Sequence, residues 1–189
     1  MLVLFESPAG YALFKALDEG KLADVENIWK EFETPAKANK MLSLQGFQAF
    51  TGTKDALAAT TALIEGTTID KSLKKFLKKQ IVKKGLSDKL GVLDSKLGGL
   101  IKEKLSIKCV QTEATRELIR GVRSQMTNLV EQLSAEDTKT MALGLSHSLS
   151  RYKLKFSPDK VDTMIVQAIG LLDELDKELN TYTMRAKEW

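Results

Sequence analysis

The chain has 189 residues, of which 43% are hydrophobic, 29% charged and only 6% aromatic; it carries a net charge of +4, one cysteine and one histidine. This composition excludes a disordered chain, a disulfide framework and a His/Cys metal cluster. No apolar run approaches the roughly 20 residues that a membrane span needs. We therefore expect a soluble, intracellular, helix-rich globular domain with an extension.

The first residues predict a β-hairpin and then a helix. Apolar runs at residues 2–6 and 11–17 flank a turn that contains Pro8 and Gly10, and Pro and Gly are the usual turn formers. Apolar side chains then recur at three- and four-residue steps, which predicts a helix with one buried stripe. The stripe consists of Leu22, Val25, Ile28, Trp29 and Phe32.

Three further strands and three helices complete the predicted N-terminal domain. A strand is predicted within residues 41–50, and an alanine-rich helix over 53–64 ends at Gly66. A lysine-rich helix is predicted over 71–84, and short strands at 91–93 and 106–110 surround a helix over 95–105. One face of the lysine-rich helix is predicted from Leu73, Phe76, Leu77, Gln80 and Ile81. These elements predict a mixed α/β (α+β) domain over residues 1–111 in two or three layers, with a strand order that the sequence does not determine.

Residues 112–156 predict a helical connector. Thr112 starts one helix, and Ser134, with Asp137 three residues later, starts another in a pattern similar to a capping box. Gly144 lies inside the second helix, where it costs about 1 kcal/mol relative to alanine, so close packing is expected there. The apolar positions of the two helices are Leu118, Ile119, Val122, Met126 and Leu129, then Met141, Leu145, Leu149 and Tyr152.

Residues 157–189 predict the first part of a long coiled-coil helix. Ser157-Pro158-Asp159 combines a capping hydroxyl, a proline at the first helical position and an acid near the helix N-terminus. Apolar residues then alternate steps of four and three for four heptads, with charged residues at the outer positions, which favours a narrow buried seam over burial on all sides. No closing signal precedes the last residue, so we expect a truncated helix. The seam consists of Val161, Ile165, Ala168, Leu172, Leu175, Leu179, Tyr182, Ala186 and Trp189.

The sequence offers little support for enzymatic chemistry. It contains no Walker A motif and no dinucleotide-binding fingerprint, and Gly98-Gly99 is interpreted as a site of close helix packing. A lone histidine such as His147 is typical of a packed or surface residue, and Cys109 is expected to be a small buried hydrophobe. We therefore predict a protein that is not an enzyme and that binds no metal or cofactor.

The lysines of residues 71–84 leave two interpretations open. Positive charge on one side of a helix attracts nucleic-acid phosphates without reading sequence, so direct RNA binding is one interpretation. A solvated surface helix is the other, because no aromatic residues that could stack on bases interleave with the lysines. The candidate RNA-contact residues are Lys71, Lys74, Lys75, Lys78, Lys79, Lys83 and Lys84.

Several stretches of the chain resemble the Nop family, the core scaffold proteins of box C/D small nucleolar ribonucleoproteins. The similarity covers essentially the whole chain and is highly specific, and it includes GLSHSLSRYKLKFSPDKV, at residues 144–161. The other stretches are LVLFESPAGYALF (2–14), SKLG (95–98), IKEK (101–104), RGVRS (120–124), DTMIVQAI (162–169) and LLDELDKELN (171–180).

The resemblance implies a nucleolar, non-catalytic scaffold that acts in ribosome biogenesis. In the Nop family the N-terminal α/β domain binds fibrillarin, the methyltransferase that places 2′-O-methyl groups on ribosomal RNA. The coiled coil pairs two Nop paralogues, and a C-terminal domain grips the kink-turn RNA. The resemblance therefore implies that residues 1–111 bind fibrillarin and that the seam binds a paralogue, whereas contacts to small nucleolar and ribosomal RNA lie mainly in regions outside this chain.

Overall fold

A computed structural model describes residues 1–23, 25–153 and 161–189. The chain divides into two compact units, Met1–Leu145 and Ser146–Trp189. The predicted helix start at Ser157-Pro158-Asp159 lies outside the described residues. The functional division into residues 1–111, 112–156 and 157–189 stays a prediction.

The predicted N-terminal hairpin is confirmed. Strands β1 (Leu2–Ser7) and β2 (Gly10–Ala16) pair antiparallel, with Ser7 opposite Gly10. The Ser7 hydroxyl closes the turn because it donates to the Gly10 carbonyl oxygen at 2.8 Å and accepts from the Gly10 N–H at 3.1 Å. A Cβ atom at Gly10 would lie 2.2 Å from the Gln48 carbonyl oxygen, so only glycine fits this close approach.

The next segment differs from its prediction. Gly20–Ala23 and Val25–Phe32 are two 3₁₀ helices, where one helix with a buried stripe was predicted. Ile28 and Phe32 are buried as expected, but Trp29 is 54% exposed, so its place in the buried stripe was wrong. Steps of three and four residues fit 3₁₀ and α geometry alike, which is why the sequence pattern did not separate them.

Helix α1 (Pro35–Met41) was not predicted; its proline stands at the first turn, where a missing N–H costs nothing. Strand β3 (Leu42–Ala49) follows directly, and α2 (Thr53–Glu65) ends at Gly66, which adopts φ +62° as a helix-closing glycine should. Both the third strand and the alanine-rich helix agree with their predictions.

The lysine-rich segment and the two short strands come next. Helix α3 (Lys71–Leu77) begins at Asp70, whose carboxylate accepts from the backbone N–H groups of Ser72 and Leu73, and it continues as a π-helical turn, Lys78–Val82. Helix α4 (Ser95–Leu105) connects β4 (Leu90–Gly91) to β5 (Cys109–Val110). Both strands are shorter than predicted.

Helices complete the described chain. Thr112 caps α5 (Glu113–Ser124), which is followed by the short α6 (Met126–Leu129). Ser134 precedes α7 (Ala135–Lys153), and its hydroxyl accepts from the Asp137 N–H at 2.9 Å, as the capping pattern predicted. A Cβ atom at Gly144 would lie 2.6 Å from Thr53 Cγ2, which confirms the predicted close packing of that glycine. Helix α8 (Val161–Glu188) forms most of the second unit.

The five strands form one mixed sheet in the order β3-β2-β1-β4-β5. The β1, β2 and β3 pairs are antiparallel, whereas β1 pairs parallel with β4 and β4 parallel with β5. The N-terminal hairpin therefore lies at the centre of the sheet.

Each face of the sheet packs on its own hydrophobic core. Alternate residues of the central hairpin enter opposite cores because side chains along a strand point to alternate faces. One core contains Val3 and Phe14 together with buried residues of α1, α5 and α6; the other contains Leu2 and Leu13 together with those of α2, α3 and α4. This is a three-layer arrangement, and it confirms the mixed α/β fold followed by helices and a long final helix.

Gly121 of α5 provides a test of the first core. A Cβ atom there would lie 2.3–2.5 Å from three ring carbons of Phe32. Gly121→Ala should therefore destabilise the fold by about 1–3 kcal/mol through overpacking, although alanine favours a helix interior.

Gly99 of α4 is the matched control, since a Cβ atom there meets no other atom within 4 Å. Gly99→Ala should leave the stability unchanged or raise it by up to about 1 kcal/mol. Urea denaturation of both variants measures the difference, and equal stability of the two would contradict the packing of Phe32 on Gly121.

Candidate interaction surfaces

Helix α8 carries the predicted seam, and none of the described residues of this 28-residue helix is buried. The exposed fraction of the large seam residues ranges from 49% for Leu175 to full exposure of Trp189. Outside the seam, only Met164 and Leu171 are partly covered. The structure thus places the seam residues from Val161 to Ala186 on one helix, with Trp189 just after its end, and leaves them exposed. Their role as an interface stays a prediction.

The candidate RNA-contact lysines lie on α3, on the π-helical turn and just after it. The opposite side of this segment is apolar and packs into the second core through Leu73, Phe76, Leu77 and Ile81, as the sequence predicted. Of the seven lysines, only Lys74 is partly covered, and the other six are exposed.

The π-helical turn packs against the edge strand β3. A Cβ atom at Gly46 would lie 2.4 Å from the Gln80 side-chain nitrogen, and Lys84 Nζ donates to the Gln45 carbonyl oxygen at 3.4 Å. The edge of β3 is therefore covered at Gln45 and Gly46. For docking a partner, the β3 edge is thus open only in part, and most residues of the N-terminal hairpin are buried at the sheet centre.

An aromatic cavity lies where the second 3₁₀ helix meets α5. It has a volume of about 440 Å³ and is lined by Trp29 and Phe32, by Gly121 and Ser124, and by the charged residues Glu33, Glu117 and Arg120. Lys30 Nζ lies 5.7 Å from the centre of the Trp29 ring, and Gln125 donates to the Phe32 carbonyl oxygen at 2.9 Å. Sequence reasoning missed this site, because it placed Trp29 in a buried stripe.

A buried carboxyl lies at the end of β1. Burial, and to a smaller extent the nearby Asp94 carboxylate, raise the pKa of Glu6 from 4.5 to about 7. Its cross-strand neighbour Tyr11 is 1% exposed, and its hydroxyl lacks a hydrogen-bond partner among the described residues. Burial, with Asp70 and Glu6 nearby, raises the pKa of Tyr11 as well.

The residues considered for chemistry are dispersed. His147 is exposed, and Cys109 is half-buried, where burial raises the pKa of its thiol. A Cβ atom at Gly98 would lie 3.0 Å from Val92 Cγ2, which confirms close packing there, whereas Gly99 faces open space. Within the described ranges, no three His, Cys, Asp or Glu side chains come close enough to hold a metal ion. No helix in that part of the chain is long and apolar enough to cross a membrane.

Comparison with known proteins gives a match to a domain family and further matches that extend over the whole of this chain. Residues 2–66, from β1 through α2, match the NOP5NT (NUC127) domain. The whole chain is 59% identical over 189 residues to nucleolar protein 58 of Homo sapiens, of which it covers 35%. The similarity to nucleolar protein 58 thus extends over the whole chain.

Other relatives are similar to the chain to nearly the same extent. The chain is 58% identical to probable nucleolar protein 5-2 of Arabidopsis thaliana and 55% identical to nucleolar protein 58 of Dictyostelium discoideum, of which it covers 34% and 30%. It thus spans about a third of the length of the curated relatives it matches. The predicted similarity to nucleolar protein 58, made on the N-terminal run and the junction at residues 157–160, and the predicted nucleolar localisation are confirmed.

The raised pKa of Glu6 predicts how stability depends on pH. Between pH 4.5 and about 7 the folded protein holds a proton that the unfolded chain releases, so the free energy of unfolding falls as the pH rises through this window. Glu6→Gln should remove this dependence and be more stable than the parent at pH 8 by about 1–3 kcal/mol, with little difference below pH 5. Urea denaturation across this range measures it. The exposed Glu103→Gln is the control, and a parallel offset of the Glu6 variant at all pH values would contradict the assignment.

Proposed function

We propose that this chain is a non-catalytic scaffold of a box C/D small nucleolar ribonucleoprotein, which recruits fibrillarin for guided 2′-O-methylation of ribosomal RNA. The similarity to nucleolar protein 58 and to the NOP5NT (NUC127) domain supports the ribonucleoprotein setting. In this proposal the first unit holds fibrillarin, and the seam of α8 holds a paralogous Nop protein. The main contacts to small nucleolar and ribosomal RNA belong to parts of the protein outside this chain.

The observation that carries the proposal is the exposed seam. An amphipathic helix normally covers its apolar stripe, because each fully buried Leu or Ile side chain is worth about 1.5–3 kcal/mol. Here Ile165, Leu172, Leu175 and Leu179 are each about half exposed or more. A heptad stripe of this length is suited to knobs-into-holes pairing with another helix, which is what a scaffold requires.

The aromatic cavity supports the first unit as the fibrillarin-binding part. The hairpin is buried and the β3 edge is partly covered, which leaves exposed apolar side chains as the candidate anchors. Trp29 is the one tryptophan of this unit, and it combines exposure with a concave surrounding that contains both acidic and basic groups. Tryptophan is strongly enriched among residues that dominate binding energy. In this proposal, Trp29 is the central residue that docks fibrillarin.

The seam and the docking surface should be separable by mutation. Leu172→Asp places a charge in the seam and should abolish co-purification with the paralogous Nop protein, while fibrillarin is still retained without RNA. Asn180→Asp adds the same charge outside the seam and should spare both interactions. Loss of fibrillarin on Leu172→Asp would count against the division of labour.

Trp29→Ala should have the opposite effect. Removing a central aromatic anchor typically costs 2 kcal/mol or more, so fibrillarin binding should weaken by at least about 30-fold in a titration, with paralogue pairing intact. Leu143→Ala, at another exposed apolar residue, should change fibrillarin binding less than about threefold. If Trp29→Ala binds normally while the chain still binds fibrillarin, the docking surface lies elsewhere. If the parent chain itself fails to bind, the proposed function is wrong.

A further inference from the structure

The lysine-rich surface is not used by the scaffold function proposed above. Residues 70–111 contain twelve lysines and four acidic residues, a net charge of +8. Because the whole chain carries +4, the remainder carries −4. Positive charge is thus concentrated in one segment of an otherwise acidic chain, and such a concentration marks an electrostatic binding surface.

The lysines of α3 share one side of the helix. At 100° per residue, Lys71, Lys74, Lys75 and Lys78 fall on the arc opposite Leu73 and Leu77, which are buried. None of the seven candidate lysines forms a salt bridge with a residue of the described chain. Their charges therefore face solvent without local neutralisation.

Most acidic groups of the segment are engaged elsewhere. Asp70 accepts from the backbone at the start of α3, and Asp94 does the same at the start of α4. Asp88 lies 3.7 Å from Lys15 Nζ. Of the four acids only Glu103 is an exposed carboxylate without such a contact in the described structure. The four acids keep their charges, but twelve lysines outnumber them three to one, so the field of the segment stays positive.

A depression of about 320 Å³ lies between the π-helical region and the chain that precedes β5. Its lining includes Val82, Gly85 and Leu105, with one lysine, Lys108, and one acid, Asp88. Lys83 and Lys84 lie between Val82 and Gly85 in the chain, and Lys104 precedes Leu105. Lysines on both sides of the depression are thus chain neighbours of its lining residues, and Lys108 is the one lysine among those residues.

We propose that this surface binds the phosphate backbone of RNA without reading its sequence. Flexible, solvated lysines contact phosphates as point charges, and the segment 71–84 exposes no aromatic ring on which a base could stack. An acidic protein partner would need apolar anchors, and Val82 is the one large apolar side chain exposed on that segment. This inference rests on the charge arrangement, and it does not depend on where fibrillarin docks.

Fluorescence anisotropy with the whole chain and a labelled 20-nucleotide RNA tests the proposal. With about five phosphates neutralised on a single strand, affinity should fall about 100-fold between 50 and 200 mM salt. Lys74, Lys75, Lys78 and Lys79 changed together to Gln should weaken binding at least 30-fold at 50 mM salt and reduce the slope by about 3. The same four changed to Arg should bind like the parent.

The matched control changes four exposed lysines outside the surface to Gln, namely Lys40, Lys139, Lys177 and Lys187. Both four-lysine Gln variants have a net charge of 0 in place of +4. The control should lose less than threefold in affinity, and oligo(U) and oligo(A) should bind within threefold of each other. Equal losses in the two Gln variants would show unspecific attraction to net charge and overturn the proposal. So would absence of RNA binding by the parent, or tighter binding of an acidic peptide than of RNA.

Discussion

The first unit depends on the central position of the β1/β2 hairpin. Leu2 to Phe5 and Tyr11 to Phe14 are all buried, and they alternate between the two faces of the sheet. Every other layer packs on one of these two sets of side chains. A register shift of one residue would exchange the two sets, so the hairpin turn, closed by Ser7 and Gly10, fixes which helices cover which face.

Elements with strong local signals could be predicted from the sequence. The hairpin followed from Pro8 and Gly10, the end of α2 from Gly66, and the apolar side of the lysine segment from Leu73, Phe76, Leu77 and Ile81. The heptad pattern of the seam could be recognised in the sequence because a heptad repeat is a purely local pattern. In each case the physical cause lies within a few residues of the chain.

What could not be predicted depends on distant contacts. The strand order, with β1 between β2 and β4, is decided by tertiary packing. Helix α1 is only seven residues long and too short to display periodicity. Trp29 fits an apolar stripe, yet its burial depends on whether a side chain of α5 covers it. Gly121 of α5 makes room for the ring of Phe32, and the Trp29 side chain stays 54% exposed. The cavity beside Trp29 could therefore not be predicted from the sequence. The cluster of lysines could be predicted, but their lack of ion pairs in the described structure could not.

The exposed surfaces of the chain differ in the physical force by which each could bind a partner. The seam offers apolar area, and burial of such area is little weakened by moderate salt and is strengthened by strongly hydrated salts. The lysine surface offers charge, whose attraction is screened beyond about 10 Å at 0.1 M ionic strength. The cavity at Trp29 lies between these extremes, since its aromatic floor is bordered by Glu33, Glu117 and Arg120. Under the proposed roles, pairing through the seam should therefore persist at ionic strengths at which contacts between the lysines and phosphate are lost.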